Sequence, residues 1–160
     1  MKIGYLKKRE KKMPNHKEGF NARIKCNEAE SKFEAFCKSN DIMFYKFGID
    51  NHPFGNKFWK VNKLIRCTPD YIIMGNITCL VEVKGCVNNV KLKEKDFNAY
   101  KFWNKIMPVH YCFYSKARNE IKLTTHNDLL NVLPSCETMN LNDSHRYDNK
   151  LCYKIRWNTI

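Results

Sequence analysis

The stretch whose reading decides the fold is Cys67-Thr68-Pro69-Asp70, an apolar run from Tyr71 to Val81 broken once by Gly75-Asn76, and then Glu82-Val83-Lys84-Gly85. Two apolar segments around a turn signal predict a β-hairpin. A carboxylate opens its first strand, and a carboxylate and an amine close its second. Residues i and i+2 of a strand share a face, so Glu82 and Lys84 project together. Charged groups at the rim of an apolar hairpin cost desolvation unless something compensates them, and a bound cation would do so. The pleat sets a condition on that reading. With Gly75-Asn76 as a two-residue turn, Asp70 would lie opposite Val81 and Glu82 would point to the other face. The two carboxylates converge only if the loop holds an odd number of residues or a bulge shifts the phase, and such a loop or bulge is expected here.

Working outward, 160 residues suit a single domain, 1–160, with a core of its own. A hydrophobic fraction of 43% with 13% aromatics argues for a folded chain. Lys and Arg number 29 against 16 Asp and Glu, and the resulting charge of +13 points to a polyanionic partner. Nucleic acid is the first choice, because neutralised phosphates release counterions. An anionic membrane is the rival, but no apolar run is long enough to span one and no signal-peptide pattern opens the chain. The eight cysteines contain no C-x-x-C pair, so neither a zinc site nor a disulfide framework has its usual spacing. They read as reduced thiols used as small apolar residues, in a cytoplasmic, reducing compartment.

The segment 1–25 is basic, with Lys7, Lys8, Arg9, Lys11 and Lys12 close together. It reads either as a solvated, mobile terminus or as an arm that lies along phosphates. Asn27 to Lys38 reads as a helix with Glu28 and Glu30 in its first turn and an apolar stripe of Ala29, Phe33, Phe36 and Cys37. Ser39-Asn40-Asp41 ends it, and Ile42 to Phe47 follows as a strand. A turn-rich loop to Asn62 leads to a possible strand ending at Arg66. After the hairpin, Lys91 to Lys105 is charged, yet Phe97, Tyr100, Trp103 and Met107 recur at helical spacing, so an amphipathic helix is expected until Pro108. Val109–Tyr114 and Glu120–Thr124 read as neighbouring strands, Thr125–Leu133 as a short helix and Lys150–Trp157 as a last strand. The class is α/β: a mixed central sheet flanked by helices.

Hydrolysing a phosphodiester at neutral pH needs charge stabilisation on the phosphate and an activated water. A divalent cation supplies both, and Mg²⁺ prefers carboxylate oxygens with retained waters. Asp70 and Glu82 would offer those oxygens, and the Val83 carbonyl another. Lys84 would orient the water or help deprotonate it, with burial lowering its pKa towards that task.

Pro69-Asp70 followed by Glu82-x-Lys84 after an apolar strand resembles the signature of the PD-(D/E)xK nuclease superfamily. More narrowly, the chain resembles the phage endonuclease I type of Holliday junction resolvase in its Glu30-x-x-Phe33, Thr68-Pro69-Asp70-Tyr71 and Val81-Glu82-Val83-Lys84-Gly85 segments. Ser115-x-x-Arg118 with Lys122-Leu123 also fits that pattern. The Asp70-to-Glu82 spacing departs from it by leaving a larger hairpin. The resemblance implies a restriction-endonuclease-like core, Mg²⁺ or Mn²⁺ as cofactor, DNA as substrate in recombination, a homodimer, and a phage or viral source. Residue by residue, it makes Asp70 and Glu82 metal ligands, Lys84 the catalytic amine, and Glu30 the helix carboxylate. Glu34 is the alternative to Glu30, and Glu28 points further round the helix.

Each feature also has a plain structural explanation. Pro-Asp often starts a strand, and Glu82-x-Lys84 could be a solvated ion pair. Lys91, Lys93 and Lys95 are candidate phosphate contacts, although a lysine run is usually a solvated face. His52 could approach a phosphate, His110 reads as a packed or edge residue, and His126 as part of a helix cap. A homing or mismatch-type endonuclease, an RNA-directed relative and a non-catalytic binding module remain alternative readings.

Overall fold

The computed structural model describes residues 28–49, 57, 60–142 and 149–160. The basic run from Lys7 to Lys12 and the His52 loop lie outside them. Helix α1 (Glu28–Ser39) buries Ala29, Phe33 and Cys37, one face at i, i+4 and i+8. Asp41 stops it in a left-handed conformation (φ 53), and the Ile42 N–H returns to the Cys37 carbonyl at 2.9 Å. Strand β1 (Met43–Lys46) follows.

Where a strand ending at Arg66 is expected, the chain forms the single-turn helix α2 (Lys63–Arg66). The Asn62 side chain caps it, accepting the Leu64 N–H at 2.9 Å. That local bond outweighs the weak strand preference of so short a segment. The hairpin is strands β2 (Tyr71–Met74) and β3 (Cys79–Cys86). Its register pairs Tyr71 with Val81, Ile72 with Leu80 and Ile73 with Cys79.

Between β3 and its parallel partner β5 (Val109–Ser115) the chain makes β4 (Asn89–Lys93) and helix α3 (Glu94–Ile106). The expected start of a helix at Lys91 is therefore corrected. Val90 and Leu92 are fully buried while Lys91 is exposed, a period of two that takes 89–93 into a strand. Strand β6 (Glu120–Thr125) pairs with β5, and α4 (His126–Val132) follows. The main sheet is five-stranded, ordered β1-β2-β3-β5-β6, with only β3 and β5 parallel. Strand β8 (Asn149–Arg156) lies between β4 and β7 (Glu137–Asn142) in a second, three-stranded sheet. The expected α/β class, a mixed sheet flanked by helices, is the one observed.

Two cores sit on opposite faces of the main sheet. On one, α1 covers Tyr71, Val81, Val83, Cys112 and Tyr114. On the other, α3, α4 and the second sheet cover Leu80, Tyr111, Phe113 and Ile155. Strand β3 is consequently buried on both faces from Cys79 to Val83, the expected condition of a strand with a parallel neighbour. The thiols of Cys37 and Cys79 are pushed up to about 11 by burial, so they pack as apolar groups and stay unreactive. Among the described residues no helix is long and apolar enough to cross a membrane.

The close approach of α1 depends on Gly85, where an added Cβ would stand 3.2 Å from the Ala29 Cβ. Gly85→Val should therefore push α1 off the sheet and cost about 1–3 kcal/mol, read from the urea midpoint. A midpoint unchanged from wild type would show that α1 has room to spare.

Candidate active site

The β2–β3 register decides whether the carboxylates meet. Continuing it one step beyond Tyr71–Val81 sets Asp70 across from Glu82, so both point to the α3 face. The last pair is Ile73–Cys79, which leaves an odd loop of Met74 to Thr78 with Asn76 at its centre. Gly75-Asn76 is thus not a regular two-residue turn, and the phase is the one the carboxylates require.

The backbone of Asp70 is pinned from the β1 side, where the Phe47 and Gly48 N–H groups both donate to its carbonyl, at 2.8 and 2.9 Å. Gly48 matters here, since a Cβ would meet the Asp70 Cα at 3.2 Å. The Asp70 side chain accepts the Val83 N–H through Oδ2 at 2.8 Å. Even-numbered residues of β3 bond towards β5, as the Leu80 N–H does to the Pro108 carbonyl. Val83 therefore turns both its N–H and its carbonyl to the other side, beyond the point where β2 has begun.

Glu82 is 2% exposed, its carboxylate pairs with the Lys84 ammonium, and its Oε2 has no hydrogen bond among the described residues. Burial, and then the neighbouring Glu82, push Asp70 well above the usual carboxylate range, against the opposing pull of Lys84 and the Val83 N–H. Burial works to discharge Lys84, but Glu82 and Asp70 outweigh it and raise its pKa. The neighbouring carboxylates thus favour the ammonium form of Lys84, the reverse of the shift expected from burial alone.

Two residues that the sequence did not single out complete the cluster, both from α3. The Tyr100 phenol is buried against Glu82, and burial together with that carboxylate raises its pKa far above normal. Asp96, one turn earlier, lies 4.0 Å from the Lys93 ammonium and 3.8 Å from the Cys67 thiol, and its charge reaches Lys84 and Tyr100. Their signal in the sequence is an i, i+4 pair inside the amphipathic helix, indistinguishable there from core and surface positions.

Glu30 stands on the α1 side of the sheet. It pairs with Lys46 and lies 3.3 Å from the Tyr71 hydroxyl, which donates to Glu34 at 2.7 Å. Its charge still reaches Asp70. Glu28 turns away, to Lys116 at 3.0 Å and the Tyr114 hydroxyl at 3.2 Å. The structure thus brings Asp70, Glu82, Lys84 and the Val83 amide together, with Glu30 on the α1 side. Lys91 and Lys95 are exposed and Lys93 leans on Asp96. His110 is half-buried, while His126 stacks on Phe97 at 4.5 Å and faces the Tyr111 hydroxyl at 3.0 Å. The cap expected near His126 is formed by Thr125 and Asp128.

No protein-family model and no curated protein matches this sequence. Over 92% of this chain and 87% of its own, a solved nuclease from a fusselovirus is similar, with a TM-score of 0.44 and 8% identity. At that level the likeness carries no argument about activity, which has to come from the side chains.

No group of three or more His, Cys, Asp or Glu among the described residues could hold a metal by itself. A zinc-type cage is thus not what these residues offer. Two neighbouring carboxylates, one with a buried oxygen that has no hydrogen bond among the described residues, suit a hard cation that keeps several waters.

The raised pKa of Asp70 has a thermodynamic sign. Between the unfolded value of about 3.9 and the higher folded one, the native state binds more protons than the unfolded chain. Stability from this group is therefore greatest below that lower value and declines as pH rises through the window. Asp70→Asn keeps an acceptor for the Val83 N–H and removes the repulsion with Glu82. Its urea midpoint should exceed wild type at neutral pH and converge on it in acid. A variant less stable than wild type at pH 7 would contradict this account.

Proposed function

We propose that this chain is a Mg²⁺- or Mn²⁺-dependent endodeoxyribonuclease. The observation that carries the reading is the closeness of Asp70 and Glu82, with a Glu82 oxygen that has no hydrogen bond among the described residues and one ammonium group beside it. So crowded a pair of buried carboxylates is costly unless a cation or a proton compensates it. Asp70, Glu82 and the Val83 carbonyl would hold the ion, while Glu30, paired with Lys46 on the α1 face, would act on it only through its charge. When bound, a divalent cation neutralises phosphate charge and makes its water more acidic.

The remaining chemistry belongs to the chain. Lys84 holds a proton on Nζ and, being about one-third exposed, can donate to a phosphate oxygen or to the attacking water. Tyr100 lies buried beside Glu82, on the side away from solvent. Tyr71 and Lys46 fix the orientation of Glu30. The charge of +13 supports a nucleic-acid substrate. The finer reading, from the sequence resemblance, is selectivity for four-way junctions by a homodimer.

Cleavage of a panel of junction, duplex, single-stranded and RNA substrates in Mg²⁺ tests this reading. Asp70→Asn, Glu82→Gln and Lys84→Met should each lower cleavage on the order of 100-fold or more while substrate binding persists. Full activity in any two of them would remove the assignment. Mg²⁺ alone should also raise the melting temperature of wild type, by the equivalent of about 2.7 kcal/mol at a hundredfold excess over Kd. Asp70→Asn should show no such rise, and an equal rise in both would place the ion elsewhere.

A further inference from the structure

A cavity of about 450 Å³ lies beyond the end of β3, lined by Asn88, Asn89, Arg118, Lys154 and Arg156 over Trp157. No carboxylate is among the described residues that line it. Lys154 pairs with Glu137 at 2.9 Å, and the charge of Arg156 also reaches that carboxylate, while both guanidinium groups, Arg118 and Arg156, are exposed. Like charges gathered in one concavity favour an anionic occupant.

The walls are held in place. Trp157 is buried, donates its indole N–H to Glu120 at 3.0 Å, and carries Arg118 at 6.0 Å from its ring centre. Stacking of this kind pre-orients the planar guanidinium. The segment carrying Asn88 is tied to the β5–β6 turn. The Lys116 N–H donates to the Cys86 carbonyl at 2.8 Å, and the Ser115 hydroxyl to the Val87 carbonyl at 2.9 Å.

We propose that this cavity binds a backbone phosphate of the same nucleic-acid strand whose neighbouring phosphodiester lies at Lys84, a proposal that rests on the nuclease reading. Arg118 and Arg156 supply the charge-assisted donors, and Asn88 and Asn89 supply neutral amide donors. Asn88 is four residues beyond Lys84, a contour of at most about 14 Å. A strand several nucleotides long would therefore span both places. The cavity fixes which stretch of the strand is presented to Lys84.

Binding of fluorescein-labelled duplex and single-stranded DNA, in EDTA and across a salt series, tests the proposal. The double variant Arg118→Gln with Arg156→Gln is compared with Lys38→Gln with Lys105→Gln, which has the same net charge. The cavity variant should bind about tenfold more weakly than that control, with a salt slope smaller by about 1 or more. Either single substitution gives the same comparison if the double variant does not fold. Equal binding by the cavity and control variants, beside a wild type that binds and cleaves, overturns this proposal alone. A wild type that neither binds nor cleaves nucleic acid overturns the nuclease reading with it.

Discussion

Asp70 stands one step beyond the Tyr71–Val81 pair, beside the buried Glu82, and a single ammonium group, Lys84, faces both carboxylates. Everything around them serves to hold that unfavourable arrangement in place. The Phe47 and Gly48 amides fix the Asp70 backbone, the Val83 amide fixes its side chain, and α3 places Tyr100 beside Glu82. The two hydrophobic cores, on opposite faces of the main sheet, stabilise a strand whose centre carries charge. Such concentration of electrostatic cost in one place works against stability, and the rest of the fold has to offset it.

The hairpin and its charges were legible in the sequence because they are local. Pro69-Asp70, the turn at Gly75-Asn76 and Glu82-x-Lys84 lie within one supersecondary unit, and alternation alone fixes which side chains share a face. Even the odd loop follows from the pleat once both carboxylates are required on one side. The contribution of α3 was not legible in the same way. Tyr100 reads as one more apolar residue of a helical stripe, and Asp96 as an acid in the first helical turn. Only the passage of the chain from β3 through β4 and α3 back to β5 brings them to Glu82.

The second sheet was harder still. Asn89-Val90-Lys91-Leu92-Lys93 does alternate, but it merges without a break into a lysine-rich helix, and β7 is an edge strand of mostly polar residues. Charge misled in a different manner at Lys84. Desolvation by itself lowers an amine's pKa, and the sequence gives no measure of two carboxylates standing against it. The sign of a shift depends on distances, which a linear pattern does not contain.

The loop from Met74 to Thr78 has a consequence for how this protein can change over generations. Its length matters less than its parity. Losing or gaining one residue there turns Asp70 to the opposite face from Glu82 if β3 stays in place, whereas losing or gaining two leaves the faces as they are. Length variation among descendants of this chain should therefore come in even steps at this loop, a mark that survives after sequence identity has faded.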